Sequence, residues 1–156
     1  MNIDREWLTR LPKTDLHVHL DGSLRPQTLL ELSGELGLDL PAANEREVRA
    51  LTQVQGEERS LSHYLRAFMY TLPVMQTPAA LERIAYELAV DAAAENVRLI
   101  EVRYSPLLHR ERGLHNREII EAVARGLARA EAESGIITGQ ILCGIRSMTP
   151  ERSLEL

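Results

Sequence analysis

The sequence predicts an α/β fold built on a parallel sheet, and two observations support this prediction. Three segments with strand character, near residues 11–23, 97–104 and 137–145, alternate with segments whose apolar residues recur at helical spacing. The order strand–helix–strand–helix–strand is typical of the start of a parallel α/β fold. The 156 residues contain no repeat, low-complexity tract or long linker, so we expect residues 1–156 to form a single domain.

The first predicted strand alternates strictly between apolar and polar residues, which places the two kinds on opposite faces. The apolar residues are Leu16, Val18 and Leu20, and the polar residues are Asp15, His17, His19 and Asp21. A turn at Gly22-Ser23 follows, and Pro26 begins a helix.

The polar face of this strand carries a candidate metal site. Two imidazoles two residues apart on one face can share a divalent ion, with Zn–N distances of about 2.0–2.1 Å. A histidine pair at this spacing also occurs on solvated strand edges. The apolar alternation, the acids on the same face and the strand–turn–helix context favour the metal site.

Two helices and an apolar stripe are predicted next. A helix runs from Pro26 to about Leu36 and ends at Gly37, and Asn44 opens a short helix with a capping-box pattern. Ser60 caps a further helix with apolar residues at i, i+3, i+4 and i+7. These residues are Leu61, Tyr64, Leu65 and Phe68. Such a stripe is typical of core packing, and the alternative is that it covers the mouth of a pocket.

The second strand has an unusual polar face. Thr77-Pro78 begins the preceding helix, Asn96 ends it, and the strand spans Val97 to Tyr104. One face carries Ile100 and Val102, and the other carries Leu99, Glu101, Arg103 and Ser105. The polar face is either the wet side of an edge strand or a barrel interior leading to a site at the strand's C-terminal end. The alternation of helices and strands favours the second interpretation.

A third long helix is predicted to be capped by Asn116 and to end at Gly135, before a last strand at about 137–145. His109 and His115 follow the second strand and could approach a metal there, but we expect both to be exposed loop residues. Cys143 is expected to be a small buried apolar residue.

Composition excludes several classes of function. The 44% hydrophobic and 26% charged residues are typical of a soluble globular protein. The net charge of -5, without a Lys/Arg cluster, argues against a nucleic-acid partner. No apolar run approaches a membrane span, and the first residues lack a signal-peptide apolar segment. A single cysteine excludes an internal disulfide, and we expect a cytoplasmic protein that does not associate with membranes.

Several segments resemble one known family. Residues 11–23, LPKTDLHVHLDGS, are similar to the N-terminal signature of adenosine deaminases, within the metal-dependent amidohydrolases. The similarity continues, in the family's order, at residues 61–68, 83–87, 100–106, 135–136 and 141–146. The resemblance implies a (β/α)₈ barrel of the TIM type. Because such barrels typically need about 250 residues, we expect this chain, with about three βα units, to be the N-terminal part of an incomplete barrel.

The resemblance also implies a function in purine metabolism, namely hydrolytic deamination of adenosine or deoxyadenosine to inosine and ammonia, with one zinc ion per complete site. It implies His17 and His19 as metal ligands. The implied substrate-binding residues are His19, Asp21, Gly22, Leu61, Tyr64, Leu65, Phe68 and Ser105. In adenosine deaminases the residue matching Asp21 accepts a hydrogen bond from a ribose hydroxyl, whereas adenine deaminases tend to carry Glu there. Asp21 therefore favours a purine nucleoside as substrate.

The family's remaining site residues have no match in this chain. These are a third histidine, a metal-binding aspartate, a proton-donating glutamate and a further histidine. We therefore expect no catalytic residue here, no activity from this chain alone, and association with the missing barrel half or with itself.

Three alternatives remain open. The substrate is free adenine or another adenine nucleoside such as aminodeoxyfutalosine; the chain is a non-catalytic fragment or binding module; or the histidine pair is incidental in an ordinary α/β domain. The zinc deaminases built on H-x-E with P-C-x-x-C are excluded, because Cys143 is the single cysteine.

Overall fold

A three-stranded parallel sheet forms the centre of the structure, which is a computed structural model describing residues 4–53 and 65–156. The strands are β1 (Lys13–His19), β2 (Val97–Tyr104) and β3 (Ile137–Leu142). They lie in the order β1-β2-β3, and both neighbouring pairs are parallel. The predicted α/β class with a parallel sheet is confirmed.

Helices precede, connect and follow the strands. The α-helices are α1 (Arg5–Arg10), α2 (Pro26–Leu36), α3 (Glu45–Thr52), α4 (Phe68–Thr71), α5 (Pro78–Ala94), α6 (Asn116–Ser134) and α7 (Pro150–Ser153). Short 3₁₀ turns span Leu20–Gly22, Leu72–Val74 and Pro106–His109. Among the described residues, no helix has both the length and the apolar character needed to cross a lipid bilayer.

Most predicted helix ends are found in the structure. The backbone N–H of Glu47 donates to Asn44 Oδ1 at 3.1 Å, and that of Ala80 donates to Thr77 Oγ1 at 3.2 Å. Gly37 and Gly135 end their helices with φ of 64° and 71°, a region that glycine enters without a steric penalty.

The prediction that Asn116 caps α6 is wrong. His115 is the capping position, and its backbone N–H donates to the Glu118 carboxylate at 2.9 Å, which leaves Asn116 as the first residue of the helix.

A β-bulge interrupts β1. Asp15 pairs with Ile100 and Val18 pairs with Val102, so the chain advances three residues on β1 against two on β2. His17 lies inside this bulge with φ of 63°. Leu16 is 59% exposed and does not pack with Val18 and Leu20, so the predicted strict alternation is wrong at this residue.

The core lies between the sheet and its helices. Ile100 and Val102 are fully buried, as predicted for the helix-facing side of β2. They belong to one cluster with buried residues of the flanking helices, including Leu29, Leu81, Ile84, Ile119, Val123 and Leu127. The opposite side of β2 carries Leu99 at its start and polar residues after it, and it leads to the cleft described next.

Candidate active-site cleft

A cleft lies where the C-terminal ends of the three strands meet. Parallel strands carry their C-terminal ends to one edge of the sheet, which is where α/β proteins bind ligands. The residues lining the cleft include His19, Asp21, Leu65, Phe68, Leu72, Arg103, Ser105, Cys143 and Ile145. Five of the predicted substrate-binding residues, His19, Asp21, Leu65, Phe68 and Ser105, are thus brought together.

The two histidines of β1 lie side by side. Their ring centroids are 5.5 Å apart and the ring planes are tilted by 44°. Two imidazoles that share one tetrahedral zinc ion at about 2.0–2.1 Å would place their centroids roughly 5 Å apart. The spacing of His17 and His19 therefore fits a shared metal ion, and their role as ligands stays a prediction.

Further metal ligands are not supplied by the described part of the chain. Within residues 4–53 and 65–156, no group of three or more His, Cys, Asp or Glu side chains is arranged to hold a metal ion. A catalytic zinc ion usually has three protein ligands and a water molecule. His17 and His19 can account for two of these positions.

Asp21 lies beside the second histidine. Its Oδ1 atom is 3.6 Å from Nδ1 of His19, and its side chain is only 12% exposed. Burial raises the pKa of Asp21, and the nearby His19 and Arg103 partly offset this effect. Asp21 Oδ1 is buried and has no hydrogen-bond partner among the described residues. An unpaired acceptor of this kind is suited to a hydroxyl donor from a ligand.

Arg103 is the site residue that sequence reasoning did not assign. It pairs with His19 across β1 and β2, and its Nη1 atom lies 2.9 Å from Nε2 and 3.3 Å from Nδ1 of His19. The polar face of β2 already placed Arg103 on the correct side of its strand. What the sequence could not give was the register that puts it opposite His19.

An apolar wall closes one side of the cleft. Phe68 lies over Gly22, since its ring atoms are 3.9–4.0 Å from the place where a Cβ on Gly22 would stand. Leu65 is 49% exposed beside Phe68. This supports the interpretation of Leu65 and Phe68 as a cover of the pocket mouth. Leu61 and Tyr64 lie outside the described residues.

Ser105 presents a polar atom to the cleft. The residue is 3% exposed, and its Oγ atom is buried without a hydrogen-bond partner in the described part of the chain. The hydroxyl can both donate and accept, so it can pair with either kind of polar group on a ligand.

Two expectations for the residues around the cleft are corrected. His109 is fully buried rather than exposed, because the 3₁₀ turn Pro106–His109 folds its ring to 6.2 Å from that of Tyr104. Burial lowers the pKa of His109 to about 4. Cys143 is half-buried and lines the cleft rather than the core, with Sγ donating to the Tyr104 carbonyl at 3.5 Å. His115 is exposed, as predicted.

Solved structures with the same fold define the class of protein. An amidohydrolase from Burkholderia ambifaria with bound Zn superimposes with a TM-score of 0.79 at 30% identity, covering 97% of this chain and 42% of that one. An adenine deaminase from Arthrobacter aurescens superimposes with a TM-score of 0.80 at 28% identity, covering 92% and 43%. The three parallel strands are therefore part of a TIM barrel of the amidohydrolase type.

The chain belongs to the adenosine deaminase family, which its residues 12–156 match. It is 46% identical over 137 residues to the adenosine deaminase of Shewanella halifaxensis, covering 88% of this chain and 41% of the relative. It is 44% identical over 147 residues to that of Clostridium botulinum, covering 94% and 44%. The chain thus spans about two fifths of the length of these relatives.

Proposed function

We propose that the protein containing this chain catalyses the zinc-dependent hydrolysis of adenosine or deoxyadenosine to inosine and ammonia. One observation carries the proposal: His19, whose ring lies 5.5 Å from that of His17, lines a cleft that also holds the unpaired Asp21 and Ser105 oxygens. Membership of the adenosine deaminase family supports the reaction class.

His17 and His19 would hold the zinc ion together with ligands from outside this chain. When bound, the ion supplies a nucleophile at neutral pH, because it lowers the pKa of water to about 7. The zinc ion in the Burkholderia ambifaria amidohydrolase supports the choice of metal. Asp21, beside Nδ1 of His19, favours the tautomer in which Nε2 is the ligand atom.

The remaining cleft residues would bind and orient the nucleoside. Asp21 Oδ1 would accept a hydrogen bond from a sugar hydroxyl, and Ser105 Oγ would pair with a second polar group of the ligand. Leu65 and Phe68 would cover the flat apolar base and exclude water from it. Each of these groups therefore binds or orients the substrate, and none transfers the proton that the ring nitrogen requires.

Residues 1–156 would act as one domain that is completed by further strands. In the described part of the chain, the outer edges of β1 and β3 have no strand partner, and Ile137 and Leu142 of β3 are 61% and 42% exposed. Open edges and exposed apolar residues of this kind favour pairing with more strands. We propose that the remaining barrel strands pair with these edges. Pairing with a second copy of this chain is the alternative.

Free adenine is the second candidate substrate, because the Arthrobacter aurescens structure of similar fold is an adenine deaminase. A structure from Arabidopsis with a TM-score of 0.75 and 32% identity is an N6-mAMP deaminase, covering 94% of this chain and 45% of that one. A modified or phosphorylated adenine nucleoside is therefore a further candidate substrate, to be tested beside adenosine and adenine.

The test is hydrolysis by the whole zinc-loaded protein, followed as ammonia release from adenosine, deoxyadenosine, adenine, AMP and aminodeoxyfutalosine and as methylamine release from N6-methyl-AMP. We expect the highest kcat/KM for adenosine or deoxyadenosine and loss of activity in the H17A variant. A higher kcat/KM for one of the other substrates would replace the proposed substrate. Absence of ammonia or methylamine release from all six would support the non-catalytic alternative.

A further inference from the structure

We propose that Cys143 is a site of covalent modification in the cleft, where a mixed disulfide with a small thiol compound blocks nucleoside binding. The inference rests on the proposed nucleoside cleft. It goes beyond that proposal because it assigns the thiol a reversible inhibitory role that substrate binding does not require. The modifying compound is a small, neutral aliphatic disulfide that can enter the cleft.

The strand register places the thiol beside the other polar groups of the cleft. β2 and β3 pair in parallel as far as Tyr104 and Leu142. The backbone N–H of Cys143 continues this pairing, because it donates to the carbonyl oxygen of Tyr104 at 3.2 Å. Cys143 is therefore the neighbour of Ser105, the residue that follows β2, and both residues line the cleft together with Arg103.

The sulfur atom is only weakly engaged by the protein. Cys143 is half-buried, and its Sγ atom donates to the carbonyl oxygen of Tyr104 at 3.5 Å, a long contact made by a weak donor. This contact uses the thiol hydrogen and leaves the sulfur lone pairs without a partner role. A half-buried cysteine that lines a cleft is therefore open to a small reagent, unlike a cysteine in the core.

Unpaired oxygens on the same cleft indicate that a ligand binds next to this thiol. Ser105 Oγ and Asp21 Oδ1 are buried without a hydrogen-bond partner in the described part of the chain. The two residues are only 3% and 9% exposed. Because buried polar atoms are normally paired, a molecule bound in the cleft is their expected partner. The thiol thus lies among groups that a nucleoside would contact.

The size of the cleft makes a bound nucleoside and a modified thiol compete for space. The cleft has a volume of about 270 Å³. Pockets for small molecules generally span roughly 300–1,000 Å³, so this cleft lies near the lower limit. A hydroxyethylthio group attached to Sγ of Cys143 would therefore occupy space that a nucleoside needs.

The chemistry of the modification is thiol–disulfide exchange. The thiol of Cys143 gives its proton to solvent, and the thiolate attacks one sulfur atom of the small disulfide. A new S–S bond to Sγ forms, the original S–S bond breaks, and the displaced thiolate takes up a proton. The sulfur of Cys143 is oxidised and the leaving sulfur is reduced. Excess free thiol reverses the reaction by the same route.

The experiment treats the whole zinc-loaded protein with hydroxyethyl disulfide and compares wild type with C143S. Peptide mapping by mass spectrometry locates the adduct. Calorimetry measures the affinity for inosine, which is the proposed product and is not turned over. We expect the adduct at Cys143 to weaken inosine binding by wild type roughly tenfold or more, and dithiothreitol to restore it. C143S should bind inosine equally well before and after treatment.

Protection by inosine distinguishes a thiol in the cleft from an ordinary exposed thiol. Inosine at about ten times its Kd should slow the modification of Cys143 roughly tenfold, because only about a tenth of the sites stay empty. The matched control is R98C in the C143S background, since Arg98 is exposed near the other end of β2. Inosine should not slow modification of this control, and the adduct should not weaken its inosine binding.

Four results would overturn the inference. They are the absence of an adduct at Cys143, an unchanged inosine affinity after modification, the absence of protection by inosine, and the absence of inosine binding by the unmodified protein. If C143S does not fold, C143A decides in the same way.

The outcomes also separate this inference from the proposed function. If modification of Cys143 abolishes inosine binding in a protein that deaminates no adenine compound, the modification site stands and the function is refuted. Deaminase activity that persists after complete modification of Cys143 refutes the modification site alone.

Discussion

Gly126 of α6 lies against the backbone carbonyl of Glu82 in α5, and a Cβ atom at position 126 would overlap with that carbonyl oxygen. The backbone nitrogen of Tyr86 would also be only 3.0 Å away. The two long helices that connect β1 to β2 and β2 to β3 therefore touch backbone to backbone at this point. Their approach fixes how both helices cover the sheet.

The first prediction is that Gly126→Ala destabilises the protein by about 3 kcal/mol or more, because the helices must separate to admit a methyl group. Urea unfolding followed by circular dichroism measures the loss. Gly34→Ala is the control, since a Cβ at this helical position meets no atom within 4 Å. It should stabilise the protein by about 0.5–1 kcal/mol through helix propensity. Equal effects of both changes would contradict the close approach.

The second prediction concerns Glu87, which joins α2 to α5. Its buried carboxylate accepts from Thr28 Oγ1 at 2.5 Å and from Arg83 Nε at 2.8 Å. Glu87→Ala should cost roughly 2 kcal/mol, because it leaves the buried hydroxyl and part of a guanidinium unpaired, while the exposed part of Arg83 remains solvated. Thermal unfolding measures the loss.

Glu121→Ala provides the comparison for Glu87. Glu121 also pairs with an arginine four residues away, but Arg117 is 87% exposed. Removal of this surface pair should change stability by less than about 0.5 kcal/mol. Losses of similar size for both variants would show that burial of Glu87 contributes nothing.

The third prediction is a pH dependence of stability that arises from His109. Burial lowers its pKa to about 4 in the folded protein, whereas an unfolded histidine titrates near 6.5. As the pH falls below about 6.5, His109 is protonated in the unfolded chain but not in the folded protein. The free energy of unfolding therefore decreases until about pH 4, where the folded protein also binds the proton, and then levels off. The contribution lost across this window is about 3 kcal/mol.

The variant His109→Phe keeps a ring of similar size and removes the titration. Its unfolding free energy, measured in denaturant at several pH values, should fall less steeply than that of wild type between about pH 6.5 and pH 4. Parallel curves for the two proteins would show that His109 is protonated equally in both states.

The bounds of several helices and strands could be predicted from the sequence, because residue alternation and side-chain capping hydrogen bonds determine them locally. The bounds of β2 follow from its alternation and from Asn96, which adopts φ of 64° and ends the preceding helix. The caps at Asn44 and Thr77 follow from their side-chain oxygens. These features depend on a few neighbouring residues and on no distant part of the chain.

The features that the sequence could not give depend on tertiary contacts. The pairing of His19 with Arg103 requires the register of two strands separated by 84 positions. The burial of His109 requires the path of the turn after β2. The bulge at His17 breaks a pattern that is strictly alternating in the sequence itself. The sequence therefore predicted several residues of the cleft, but it could not predict the contacts between them.

The fourth prediction tests the role of Asp21 in binding the sugar. Asp21→Ala should raise the KM of the zinc-loaded protein for adenosine roughly 10- to 100-fold, because a hydrogen bond to a charged acceptor is lost. The matched control is the same variant with free adenine, which has no sugar hydroxyl. An equal increase for both substrates would show that Asp21 acts through His19, which it faces at 3.6 Å, and not on the sugar.

The last prediction uses the backbone of His17, whose φ of 63° lies in the left-handed region. Glycine adopts this conformation freely, whereas alanine pays about 1 kcal/mol. We therefore expect His17→Gly to be more stable than His17→Ala by about 1 kcal/mol in urea unfolding. In a regular strand the order would be reversed, because glycine there costs about 0.5–1 kcal/mol relative to alanine.

Both variants should also bind zinc more weakly than wild type when the protein is titrated with Zn²⁺ in a calorimeter. The bulge would then hold a strained residue in place because its imidazole is needed beside His19. Greater stability of the alanine variant would mean that β1 is a regular strand in solution and that His17 does not adopt the left-handed backbone conformation there.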